Sequence, residues 1–248
     1  MTTSRIAPVD VIIIAAMEPE IIPFLNQATE LGEPRQVGNA VLYSGLLAGR
    51  RALFVRGGIG LVNAAGAANS ALLLAGGEVP PLVISAGTAG GLGADVRVGD
   101  VVIGTEMINA DADARAFGYV LGQVPGMPAS YPSPGPAIQA GLDGVPTERT
   151  AATVHHGVVV SSYSFVGHDR APIIKGQFAG VLATDMESSA IAQTCHVHGA
   201  PFLAVRGISD LCGPASEADF IEHVDDAAER SAEVAIPVIA AWWAAQAG

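Results

Sequence analysis

Short apolar runs alternate with longer segments of helical spacing along most of this chain. Val9–Ala15 is a β-branched apolar run and Glu18–Thr29 after it has a helical pattern, so a strand followed by a helix is predicted. Ala40–Leu47 and Arg51–Arg56 flank Ala48-Gly49-Arg50 and read as a hairpin. Leu61–Ala75, rich in Ala and Leu, reads as a helix, and Pro81–Ser85, Val101–Gly104 and Val154–Ser161 read as strands. Met186–His198 predicts a helix, Phe202–Val205 a strand buried on both faces, and Glu217–Ala247 a mainly helical end with a kink at Pro237. Residues 109–136, rich in Gly, Pro and Asp, predict a long surface excursion of the kind that serves function or packs on a partner. The alternation is that of a mostly parallel sheet flanked by helices, without repeats or an internal linker.

Composition narrows the picture. With 248 residues, half of them hydrophobic, the chain can bury a substantial core as one domain over residues 1–248. A formal charge of −12 argues against an electrostatic grip on nucleic acid or an anionic membrane, and leaves a small substrate open. Two cysteines, Cys195 and Cys212, make no disulfide framework and read as cytosolic thiols. The opening MTTSRIAPVDVIIIAA has one Arg and runs into an acidic segment, a poor signal peptide. Residues 231–247 carry Glu233 and Pro237 and are too short to span a bilayer comfortably. A cytoplasmic location is expected.

Candidate chemistry concentrates in residues 183–210, where Glu187 opens an apolar helix and Asp210 lies just past the next buried strand. Active sites of open α/β sheets gather at such strand ends, where Arg206, Ser209 and Asp210 would emerge together. Gly58-Ile-Gly60-Leu-Val-Asn63 invites a dinucleotide reading, but Asn63 replaces the third glycine and Glu78 precedes its strand instead of ending it. A tight turn, or backbone approaching a small ligand, remains. In Ser85-Ala-Gly-Thr-Ala-Gly-Gly91 small residues would let backbone amides and the Thr88 hydroxyl face a ligand oxygen, and no Walker lysine follows. His155 and His156 would point to opposite faces of a strand, and His196 and His198 would diverge on a helix, so no metal site and no cofactor is expected. Cys195 reads as packing, and Trp242 and Trp243 as anchors of the last helix. Glu20, Glu187 and Asp210 stand out as carboxylates whose environments, if driven apart, supply both acid and base for cleaving a glycosidic bond.

Taken in order, IIIAAMEPE (12–20), GGIGLVNAA (57–65), SAGTAGGL (85–92), VGDVVIG (98–104), DADARAFGYVLGQVPGMP (111–128), DMESSAIA (185–192) and FLAVRGISD (202–210) resemble the 5′-methylthioadenosine/S-adenosylhomocysteine nucleosidases of the nucleoside phosphorylase superfamily. The resemblance runs from Val11 to about Phe220. It implies a single-domain three-layer sandwich with a central mixed, mostly parallel sheet. It further implies that Glu20, with Arg206 and Thr88, holds and activates the attacking water. Glu187 would grip the ribose hydroxyls with Met186 against the sugar, and Asp210, positioned by Ser209, would protonate adenine N7. Phe165 would stack on the purine, the Val166 backbone would read its edge, and Phe220 would close the pocket. A homodimer would complete the site, with Phe117 and Pro125 entering the partner's pocket. The chain departs from the family pattern at Pro19, Thr88, Tyr163, Ser164 and residues 211–219. Three other readings share the scaffold: a 5′-deoxyadenosine or aminofutalosine hydrolase, a purine nucleoside phosphorylase, and a non-catalytic nucleoside-binding protein. The charge of Glu20 would repel a phosphate dianion, which disfavours phosphorolysis.

Overall fold

The computed structural model describes residues 7–143 and 153–246. Its strands are β1 (Val11–Ala15), β2 (Arg35–Val37), β3 (Ala40–Leu47), β4 (Arg50–Arg56), β5 (Leu82–Gly91), β6 (Val101–Asn109), β7 (Tyr131–Pro132), β8 (Val154–Ser161), β9 (Val181–Asp185) and β10 (Phe202–Asp210). The helices are α1 (Glu18–Gln27), α2 (Leu61–Leu74), α3 (Gly135–Asp143), α4 (Ala171–Gln177), α5 (Ser188–His198) and α6 (Ser216–Gln246).

β1 shows why the layers form. All five residues are buried, with parallel neighbours on both sides, β4 and β5. Alternation then sends Ile13 into one core with Phe24, Phe54 and Val238, and Ile12 and Ile14 into the other with Ala64, Ala68 and Ile191. Helices therefore cover both faces: α1 and α6 on one, α2 and α5 on the other. The sheet is mixed, and two of its longest ladders, β5–β10 and β6–β8, are parallel. The fold is the expected α/β arrangement of a mixed sheet between helices.

Several elements differ from the sequence reading. β5 runs on through Ala86–Gly91, which reads as a loop, because its small residues let β9 and β10 pair closely on either side. β10 extends to Asp210, so this carboxylate ends the strand and does not follow it. β9 and α4, five and seven residues long, and α3 are further elements that the sequence reading does not contain. The hairpin forms as predicted, with Ala48 (φ 50°) and Gly49 (φ 72°) turning β3 into β4. The 109–136 excursion contains a 3₁₀ turn at Arg115–Phe117 and the short β7. Cys195 is core, as is Trp242, while the Arg50 guanidinium lies 5.3 Å over the Trp243 ring. α6 is continuous through Pro237, and the predicted end of that helix at Ala247 lies outside the described residues.

One consequence of this topology positions the site. β5, β10, β6, β8 and β9 pair in succession and β9 returns to β5, closing a ring of five strands inside the larger sheet. The closure brings the carboxyl ends of β5, β9 and β10 side by side.

Candidate active site

A cavity of about 560 Å³ opens where β1, β5, β9 and β10 end, roofed by the segment after β8 and the first turns of α6. Glu20, in the first turn of α1, is nearly sealed from solvent at 3% exposure and lines its wall. The Ala16 and Met17 backbone N–H groups donate to its Oε2, each at 3.0 Å. The Thr88 N–H and hydroxyl donate to Oε1 at 2.8 and 2.9 Å. Four donors thus hold one carboxylate in a fixed orientation. Pro19 lies in the same first turn, where its missing N–H leaves no intrahelical bond unmade.

Glu187 sits at the N-cap position of α5, where its side chain makes no capping bond, and lines the same cavity. Gly60, at a φ of 100° that favours glycine, donates its N–H to Glu187 Oε1 at 2.9 Å. Burial, then the neighbouring charge of Asp185, pushes the Glu187 carboxyl up to about 7. Asp210 is held by the Cys212 N–H on Oδ1 at 2.9 Å and the Ser209 hydroxyl on Oδ2 at 3.1 Å. Burial outweighs these bonds and raises its carboxyl above the ordinary range.

Arg206 takes a different place from its proposed partners. It is 1% exposed, lies behind the cavity wall, and pairs with Asp185 Oδ2 at 2.8 Å. Its guanidinium also donates to the Ser188 hydroxyl at 2.8 Å and to Ser85. A Cβ on Gly87 would lie 2.6 Å from Glu20 Oε1 and 2.8 Å from Arg206 Nη1, so the two groups approach the bare Cα of Gly87 together. Glu20, Thr88, Phe165, Val166, Met186, Glu187, Ser209, Asp210 and Phe220 all line the cavity. The Phe165 and Phe220 rings meet edge to face, centroids 6.0 Å apart. Phe117, 83% exposed, and Pro125, also exposed, lie away from it.

The sequence reading missed Asp185, although its spacing two residues before Glu187 was visible in DMESSAIA. It also missed Thr184, Ile59, Cys212, Glu217 and Ile221 on the wall. Thr184 Oγ1 is buried without a hydrogen-bond partner. Among the described residues no group of three or more His, Cys, Asp or Glu is placed to hold a metal ion, and no helix is long and apolar enough to cross a membrane. His155 hydrogen-bonds Asp100 at 2.9 Å, and neither residue lines this cavity.

Acidic groups in differing environments, at the strand ends of a doubly covered α/β sheet and facing an aromatic pair, define a protein that handles a small, partly apolar molecule. Residues 10–240 match the family model of the phosphorylase superfamily. The chain is 38% identical over 232 residues to the 5′-methylthioadenosine/S-adenosylhomocysteine nucleosidase of Anoxybacillus flavithermus, covering 91% of this chain and 95% of that one. It superposes on the nucleosidase of that name from Neisseria meningitidis, solved with methylthio-immucillin-A, with a TM-score of 0.87 and 38% identity over 92% of this chain and 97% of the other. The corresponding nucleosidase from Colwellia psychrerythraea, solved with adenine, gives 0.88 at 28% identity over 94% and 96%. The chain belongs to the phosphorylase superfamily and, within it, to the 5′-methylthioadenosine/S-adenosylhomocysteine nucleosidase family.

Proposed function

We propose that the chain hydrolyses the N-glycosidic bond of 5′-methylthioadenosine and S-adenosylhomocysteine, releasing adenine and the 5-thioribose product. The observation that carries this reading is the convergence of Glu20, Glu187 and Asp210 on one cavity, each in a different hydrogen-bonded setting. Asp210, raised by burial, gives its proton to adenine N7. The C1′–N9 bond then breaks with its electron pair passing to the base, through a transition state resembling a ribosyl oxocarbenium ion. Water adds to C1′ and its proton passes to Glu20, which the four donors hold in one orientation. Glu187 binds the ribose hydroxyls beside Met186, while Phe165 stacks on the purine, the Val166 backbone reads its edge and Phe220 closes over it. In this scheme Arg206, anchored by Asp185 and facing Gly87 as Glu20 does, works with Glu20 and Thr88 to hold the attacking water.

The same reading makes the protein a cytoplasmic homodimer. Its support is Phe117, an aromatic ring that is exposed on a long excursion and does not line its own cavity. With Pro125 it would complete the partner's pocket.

The test is adenine release from 5′-methylthioadenosine by purified protein, with and without phosphate. Phosphate-independent release of adenine and free methylthioribose is expected, with Asp210→Asn slower by roughly 10²–10⁴-fold. Release only in phosphate, giving the sugar 1-phosphate, or full activity in both Asp210→Asn and Glu20→Gln, overturns the mechanism.

A further inference from the structure

The segment after β10, atypical in sequence at 211–219, contains a backbone outlier inside the cavity wall. Cys212 has a φ of 53°, in the left-handed region that side-chain-bearing residues seldom occupy, and it is buried at 2% exposure. Observed strain of this kind at a site invites the question of what it positions. The Cys212 N–H donates to Asp210 Oδ1, 2.9 Å away. The same turn brings the thiol onto the bare Cα of Gly90. A Cβ on Gly90 would collide with Cys212 Sγ and lie 3.2 Å from Asp210 Oδ1, so sulfur and carboxylate share one notch. Thr184 Cγ2 closes the third side at 3.5 Å from that point.

We infer that Cys212 is a positioning residue for the acid: its N–H orients Asp210, and its thiol fills the notch over Gly90 with a group that excludes water and hydrogen-bonds weakly. This inference rests on the nucleosidase reading of the site. A thiol is a poor donor beside a hydroxyl or a water, so the carboxyl keeps its proton at a higher pH than it would with either in that place. The direction agrees with burial as the main cause of the raised Asp210 carboxyl. Other charges around the acid are Asp219 and Glu217 on α6, Lys175 of α4 near Cys212, Glu20 and Glu187 on the cavity wall, and Asp185 paired with Arg206. None of them is altered by a change at position 212.

The experiment compares the pH profile of kcat/KM for adenine release between wild type, Cys212→Ser and Cys212→Ala. A serine hydroxyl donating to Asp210 favours its ionised form, so the alkaline limb moves down by about one pH unit in Cys212→Ser. Cys212→Ala, which admits water to the notch, moves it the same way by less. A residue that merely packs would change the melting temperature and leave the limb in place. Wild-type release with an unmoved limb in both variants overturns the inference alone. No release by the wild type overturns the nucleosidase reading, and the inference with it.

Discussion

Replacing Gly87 by alanine probes the proposed joint role of Arg206 and Glu20 without substituting either. The new methyl would sit 2.6 Å from Glu20 Oε1 and 2.8 Å from both Glu20 Cδ and Arg206 Nη1, where ordinary contact starts at 3.4 Å. Neither neighbour is free to swing away. Glu20 is held by four hydrogen bonds, and Arg206 is fixed by its buried pair with Asp185. The clash must therefore shift the carboxylate or the strand itself. Overpacking of this kind costs about 1–3 kcal/mol of stability. A displacement on the order of 1 Å in a group proposed to orient the attacking water costs roughly 10²-fold in rate. The assay is kcat for adenine release alongside chemical denaturation. Gly49→Ala is the control: with φ at 72° and nothing within 4 Å of its Cβ, it should lose about 1 kcal/mol through backbone strain and keep its kcat. A Gly87→Ala enzyme with kcat within about twofold of wild type would refute the role given to the placement of Glu20 and Arg206 against Gly87.

Glu187, raised from 4.5 to about 7, contributes stability that is fully present below its unfolded pKa and lost as pH rises through the folded value. Melting temperature should accordingly carry a downward slope between about pH 4.5 and 7, and Glu187→Gln should flatten it; an unchanged slope would put the buried charge elsewhere. Asp185→Asn leaves the Arg206 guanidinium, 1% exposed, without its counter-charge, and urea unfolding should register a loss of about 3–5 kcal/mol. Phe117→Ala should weaken self-association in sedimentation velocity and raise KM together. A raised KM without any change in assembly would make the ring's role intramolecular.

What local pattern alone determined here is considerable. The β-branched run of β1, the Ala-rich face of α2 and the apolar start of β10 declare themselves, because the side-chain periods of strand and helix are properties of neighbouring residues. Glu20 and Glu187 at helix starts, and Asp210 near a strand end, could be picked out by the same local logic. Tertiary structure decided the rest. Ala86–Gly91 and Arg206–Asp210 look like loop and exit because they are small or polar, yet every one of these residues is buried in a strand. Their burial depends on partners remote in the chain: Arg206 on Asp185 and on Ser85, 121 residues away, and Glu20 on Thr88, 68 residues away. A polar group is inexpensive to bury only when such partners arrive, and no window of sequence records their arrival. The ring through β5, β10, β6, β8 and β9 has the same character. It is closed by the antiparallel pairing of Gly90 and Gly91 with Thr184 and Ala183, a contact between two short, weakly patterned stretches. That closure sets Asp210, Cys212 and Thr184 around one glycine, a juxtaposition that only the folded chain creates.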